Sequence, residues 1–182
     1  MKSLPKILKT EEAARSRIFC VEAIHLEFSN GEKRIYERLK AGGNGAVLIV
    51  AINEKNELML IREYAAGTER YELALPKGLV DKGEKPLEAA NRELKEEVGF
   101  GAKNLTELKQ VTLAPSYLSH KMSIVLAQDL YPEKLEGDEP EPIEVVPYPF
   151  DKIDELIADT EFTEARSIAA LYLARSYLTQ QK

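Results

Sequence analysis

A chain of 182 residues, 44% hydrophobic and 31% charged, carries enough apolar material for one domain with a sizeable core and a small extension, which excludes a disordered chain. Its formal net charge of -6 argues against wrapping nucleic acid through phosphate contacts. Its longest apolar runs, such as AVLIVAI at 46–52, are far too short to span a bilayer, so no membrane partner is expected.

The first segment, MKSLPKILKTEEAARSR, is basic but lacks an apolar core followed by a small-residue cleavage site, and it reads as mature cytoplasmic protein. Residues 18–39 read as a β-hairpin: IFCVEAIHLEF alternates loosely, Ser29-Asn30-Gly31 marks the turn, and EKRIYERLK returns. The Asn-Gly pair is expected to supply positive φ angles there. The single cysteine, Cys20, lies in an apolar run and reads as a buried thiol, and His25 on the same hairpin reads as a surface or packing residue. AGGNG at 41–45 reads as a flexible joint, which sets the expected division at residues 1–42 and 43–182.

Beyond the joint, AVLIVAI (46–52) is a buried strand, NEKNE a polar turn and LMLIREY (58–64) the next strand. YELALP (71–76) is a short strand that leads into the loop KGLVDKGEKP. A helix follows over 86–98, with Pro86 in its first turn and Gly99 ending it. Residues 105–113 and 122–130 are further strands. EGDEPEPIE (136–144) is an acidic, proline-bearing loop, VVPYPF a short edge strand, and DKIDELIAD and FTEARSIAALYLARSYLTQ closing helices. Strands and helices mixed in this order predict an α/β (α+β) chain.

The segment GLVDKGEKPLEAANRELKEEVGF, Gly78 to Phe100, concentrates five glutamates between Glu84 and Glu97. On a helix, Leu87, Ala90, Leu94 and Val98 fall on one stripe that packs on a sheet, while Glu93, Glu96 and Glu97 cluster on a neighbouring face. Like charges at that spacing destabilise a bare helix by a few tenths of a kcal/mol per pair. A solvated acidic face is the plain reading; a hard divalent ion ligated by the carboxylates is the other. Arg92 either reaches back to Glu84 or is a surface residue.

The array Gly78, five residues, Glu84, seven residues, Arg92-Glu93, then Glu96-Glu97, Gly99 and apolar Phe100 resembles the Nudix box at every fixed position. The resemblance implies a Nudix α/β/α sandwich with a mixed sheet, preceded here by the N-terminal β-hairpin extension. It also implies hydrolysis of a nucleoside diphosphate linked to another moiety. Glu93 and Glu97 are then the principal metal ligands, Glu96 stands beside them, the Lys77 carbonyl is a further ligand, and Glu84 and Arg92 orient the site. Mg²⁺ is the expected ion, with Mn²⁺ as substitute.

Outside the box, IREYAAGTERYELALPKG and Pro115, fifteen residues past Phe100, resemble the ADP-ribose pyrophosphatase branch. Ser116-Tyr117 and His120 depart from the glycine and acid that many such enzymes carry there. Tyr117 lies where diadenosine polyphosphate hydrolases carry a tyrosine. The mixture implies a small nucleotide substrate of the ADP-linked kind: ADP-ribose, NADH or diadenosine polyphosphates. By the same resemblance the acidic loop supplies a catalytic base, Glu139, and another metal ligand, Glu141. Arg62 is a candidate phosphate or ribose contact, Tyr64 and Tyr117 are candidates to stack on adenine, and Pro115 is counted with them as a substrate-binding residue by the resemblance. Two alternatives stand beside this reading: another nucleotide sugar such as GDP-mannose, and a non-catalytic nucleotide-binding module. Similar enzymes dimerise, so a homodimer through the extension is expected.

Overall fold

The computed structural model describes residues 3–181. Its chain divides into two compact units, residues up to Gly42 with Thr112–Lys121, and Gly43–Val111 with the residues from Met122 onward.

The first unit holds a three-stranded antiparallel sheet of β1 (Lys6–Arg15), β2 (Cys20–Glu27) and β3 (Lys33–Leu39), with β2 in the middle. The expected hairpin is β2–β3; the strand β1 beside it was not expected. The turn also differs in detail. Gly31 alone takes a positive φ, of 83°, its N–H donating to the Phe28 carbonyl while the Phe28 N–H bonds Glu32. That is a three-residue loop closed by one left-handed glycine, so Asn30 needs no positive φ. Cys20 is buried, and His25 pairs with Glu11 (Nε2–Oε1 2.8 Å).

In the second unit the strands are β4 (Ala46–Ala51), β5 (Glu57–Ala65), β6 (Arg70–Ala74), β7 (Lys77–Leu79), β8 (Phe100–Thr112), β9 (Lys121–Pro132) and β10 (Glu144–Pro149). The last residue of β8, Thr112, and the first of β9, Lys121, belong to the first unit. The helices are α1 (Pro86–Glu93), α2 (Ile153–Ala158) and α3 (Ala165–Gln180). One sheet runs β7-β4-β9-β8, with β4 and β9 parallel and β4 and β7 antiparallel, and a second runs β10-β5-β6. The sheet is therefore mixed. VVPYP is an edge strand, paired with β5 alone.

Every residue of β4 is buried because the strand is covered on both faces, which is why its sequence reads as an unbroken apolar run. Leu48 and Val50 pack in the layer of Leu171 and Ala174 from α3, together with Ile153 and Leu156 from α2. Val47 and Ile49 pack in the layer of Ala89, Ala90 and Leu94 from the other side. β9 repeats the alternation, with Ile124 and Leu126 on the first face and Val125 and Ala127 on the second. This is the α/β/α sandwich. Each fully buried Leu or Ile contributes about 1.5–3 kcal/mol of apolar transfer, so the two layers clamp the sheet from which the site projects.

One correction falls on the catalytic segment. The expected helix over 86–98 is α-helical only to Glu93; Leu94–Val98 is a π-helical turn. Gly99, left-handed at φ 83°, donates its N–H back to the Leu94 carbonyl at 3.2 Å, five residues earlier. The expected stripe still packs inward, since Ala90, Leu94 and Val98 are buried with Leu87 against them. A second correction concerns KGLVDKGEKP, whose first three residues are the strand β7 rather than loop.

Candidate active site

β7 and the helical segment meet at the edge of the mixed sheet. The helix starts cleanly: Pro86 occupies its first turn, and the Glu88 carboxylate accepts the Lys85 backbone N–H at 3.0 Å. Its far end carries the glutamates. Glu93 reaches into the space beside Gly78, where a Cβ would stand within 1.9–2.2 Å of its carboxylate atoms. Glu97 accepts the Lys77 backbone N–H at 2.9 Å. Both carboxylates are buried. Burial pushes Glu93 up to about 7, against the pull of Arg92, and pushes Glu97 up to about 8, against the Lys77 N–H.

Arg92 does reach back to Glu84. Its Nε and Nη2 donate to the two Glu84 oxygens, each at 3.0 Å. Nη1 donates to Glu93 at 2.8 Å and to Glu96 at 2.9 Å, and Nη2 also bonds the Leu79 carbonyl at 2.9 Å. The guanidinium beside Glu84 holds that carboxyl below the usual range, and its own pKa is raised in turn. Glu84 also accepts the Asp81 N–H at 3.0 Å, so the loop between β7 and α1 is tied to the helix.

With Glu84 standing behind Arg92 and outside the lining, Arg92 and the carboxylates of Glu93, Glu96 and Glu97 line a cavity of about 640 Å³. It brings together Lys77, Gly78, Arg92, Glu93, Glu96 and Glu97 from the box region and Glu139 from the acidic loop. Glu141 lies elsewhere: its carboxylate accepts the Tyr71 hydroxyl in a second cavity of about 270 Å³. That cavity is also lined by Arg62, Tyr64 and Tyr71, with Glu63 and Glu139 shared between the two. Arg62 pairs with Glu144 (Nε–Oε2 3.4 Å), and the rings of Tyr64 and Tyr71 meet edge to face at 5.7 Å. Pro115 and Tyr117 belong to the first unit, where the Tyr117 carbonyl accepts the Leu39 N–H at 2.7 Å.

Sequence reasoning missed Glu63, which pairs with Lys77 Nζ at 2.7 Å, and Tyr71, which faces Tyr64 across the β5–β6 hairpin. The signal for Tyr71 was present: two strands about a tight turn put Tyr64 and Tyr71 in register. It also missed Gly137.

Among the described residues no three His, Cys, Asp or Glu side chains already stand together as a ligand set for an ion. The chemistry of the donors nevertheless fits a hard divalent cation. They are carboxylate oxygens, two of them desolvated and raised in pKa, with Arg92 as their cationic neighbour.

Sheet, helix end and box together define a Nudix hydrolase, and the chain belongs to that family. The model of the NUDIX domain matches residues 44–171, and that of the NudE-type Nudix hydrolase N-terminal domain matches residues 5–38. Within the family the chain is 58% identical over 177 residues to the ADP compounds hydrolase NudE of Escherichia coli (strain K12), covering 97% of this chain and 95% of that protein. It is 30% identical over 173 residues to the ADP-ribose pyrophosphatase of Bacillus subtilis (strain 168), covering 91% and 92%. A crystal structure of ADP compounds hydrolase matches with a TM-score of 0.93 at 56% identity, covering 100% of this chain and 97% of that one.

Proposed function

We propose that the chain hydrolyses the pyrophosphate bond of ADP-linked compounds (ADP-ribose, NADH and diadenosine polyphosphates), releasing AMP and the phosphorylated remainder. The observation that carries this reading is the single cavity that gathers Glu93, Glu96 and Glu97 with Glu139. Water forms the new P–O bond, the bridging P–O bond breaks, and Glu139 takes the proton from the attacking water. Glu93 and Glu97, with the Lys77 carbonyl, would hold the divalent cation, Mg²⁺ first and Mn²⁺ as substitute. When bound, that ion supplies charge neutralisation on the phosphates and makes water more acidic. Arg92 and Glu84 hold the helix end and its entry loop in register. The neighbouring cavity, with Arg62, Tyr64 and Tyr71, suits the nucleoside side of the substrate, an aromatic wall beside a guanidinium. Pro115 and Tyr117 remain proposed substrate contacts on the strength of the resemblance.

Residues 1–42 are proposed as an extension that joins two copies into a homodimer, with 43–182 as the hydrolase domain, working in the cytoplasm without nucleic acid. Among the described residues no helix is long and apolar enough to cross a membrane. Light scattering on the active protein tests the dimer, and a monomer with full activity removes it.

Product analysis with ADP-ribose, NADH, diadenosine triphosphate and GDP-mannose tests the substrate class. AMP is the expected product from the first three, and turnover of GDP-mannose alone would sink the reading. Glu139→Gln is expected to lower kcat by about 100-fold or more with KM near normal.

A further inference from the structure

We propose that Gly137 is a positioning residue for this hydrolysis: the space left by its missing side chain is the seat of the Glu139 carboxylate. A Cβ on Gly137 would stand 2.2 Å from Oε2 of Glu139, 3.2 Å from its Cδ and 3.5 Å from Oε1. The Glu139 side chain therefore folds back over its own loop, and both residues line the cavity with Glu93, Glu96 and Glu97. The same construction occurs at Gly78, whose missing Cβ makes room for Glu93. Two carboxylates that arrive from different elements are each held against a glycine.

The root of the loop is fixed to the end of the catalytic helix. Glu133 N–H donates to the Gly99 carbonyl at 3.1 Å, Leu135 N–H to the Lys95 carbonyl at 3.2 Å, and Lys134 Nζ to the Glu96 carbonyl. Lys95 returns an ion pair to Glu133 at 2.9 Å. These donors satisfy carbonyls that a helix end leaves without partners inside the helix. With its root set, the loop delivers Glu139 four residues after Leu135, but a glutamate side chain still has several staggered rotamers. Gly137 gives one of them its room. Any larger residue fills the seat and turns the carboxylate away. Gly137 is exposed and its φ lies outside the left-handed region, so alanine suits the backbone and disturbs the carboxylate.

This inference rests on Glu139 being the base, and the experiment separates the two. kcat and KM for ADP-ribose with Mg²⁺ are measured for the unsubstituted chain, Gly137→Ala, Glu139→Gln and the double variant, the slow variants at raised enzyme concentration. Gly137→Ala is expected to lower kcat about 10- to 100-fold with KM within about two-fold, the scale of a misplacement near 1 Å. On the Glu139→Gln background the same change is expected to cost less than about two-fold, because the residue acts through that carboxylate. A Gly137→Ala kcat within about two-fold of the unsubstituted chain, or an equal loss in both backgrounds, overturns the seat. So does a crystal structure of G137A with the Glu139 carboxylate unmoved. Full activity in Glu139→Gln overturns the base assignment instead.

Discussion

Gly78 and Glu93 share one space: a Cβ on Gly78 would stand 1.9 Å from the Glu93 carboxyl carbon and 2.0 and 2.2 Å from its two oxygens. Gly78 is paired with Val47 in the sheet, and Glu93 is the last α-helical residue before the π turn, so this contact sets how closely the helix end approaches the sheet edge. Gly78→Ala is expected to leave the sandwich folded while displacing the carboxylate. kcat should fall about 100-fold or more, in line with the cost of a misplaced catalytic geometry. Steady-state kinetics beside a circular-dichroism melt checks it; unchanged kinetics would show that Glu93 finds an equivalent position.

Arg92 is the one cation that touches Glu84, Glu93 and Glu96 together among the described residues. A lysine keeps the charge but cannot present a planar fork to Glu84 while a third nitrogen serves two more carboxylates. Arg92→Lys is expected to destabilise the metal-free protein by about 1–3 kcal/mol, the scale for lost charged hydrogen bonds to part-buried groups. kcat should fall by about 10-fold or more as the β7–α1 loop loosens. Denaturant unfolding and kinetics on one preparation measure both.

The sandwich was legible because β4 and β9 are covered on both faces and so write continuous apolar runs. β1 was not: nearly all of KILKTEEAAR is exposed, so its sequence carries no alternation to read. β7 is only three residues long, too short for any period. The π turn could not be read either, since its end is settled by donors from residues 133–135, far along the chain. The box residues were legible as a spaced pattern, and the contacts among Arg92, Glu84, Glu93 and Glu96 follow from that spacing. Glu139 and Glu141 are two residues apart in a loop with Pro140 and Pro142, and no periodicity tells that Glu139 lines both cavities while Glu141 lines only the smaller. Glu63 and Lys77 meet only once β5 and β7 are placed, so their pairing needs the fold.

The raised pKa values make stability depend on pH. Glu93 and Glu97 have ordinary values of 4.5 and sit at about 7 and about 8 in the folded chain, mainly through burial. The folded state therefore binds more protons than the unfolded state across that interval. Stability without metal is greatest below about 4.5 as far as these two groups decide it, and falls as pH rises toward 8. Glu97→Gln carries no such charge and is expected to flatten the slope between pH 5 and 8, roughly the titration interval of the parent carboxyl. Melting in EDTA across that range measures it, and parallel slopes for the two proteins would contradict the burial of Glu97.

Divalent metal should reverse that trend. A cation that binds the folded site and not the unfolded chain stabilises by about 2.7 kcal/mol at one hundred times its dissociation constant. Ligation requires both carboxylates ionised, so each ion bound near neutral pH displaces protons from Glu93 and Glu97. The stabilisation by Mg²⁺ is therefore expected to grow as pH rises from 6 to about 8.5, where the metal-free protein is weakest. Calorimetric melts at fixed Mg²⁺ in that range test it, together with proton release measured by titration in buffers of different ionisation enthalpy. The Glu93→Gln, Glu97→Gln double variant should show neither the shift nor the release. A shift of equal size at every pH, or one that survives in the double variant, would place the ion on other ligands.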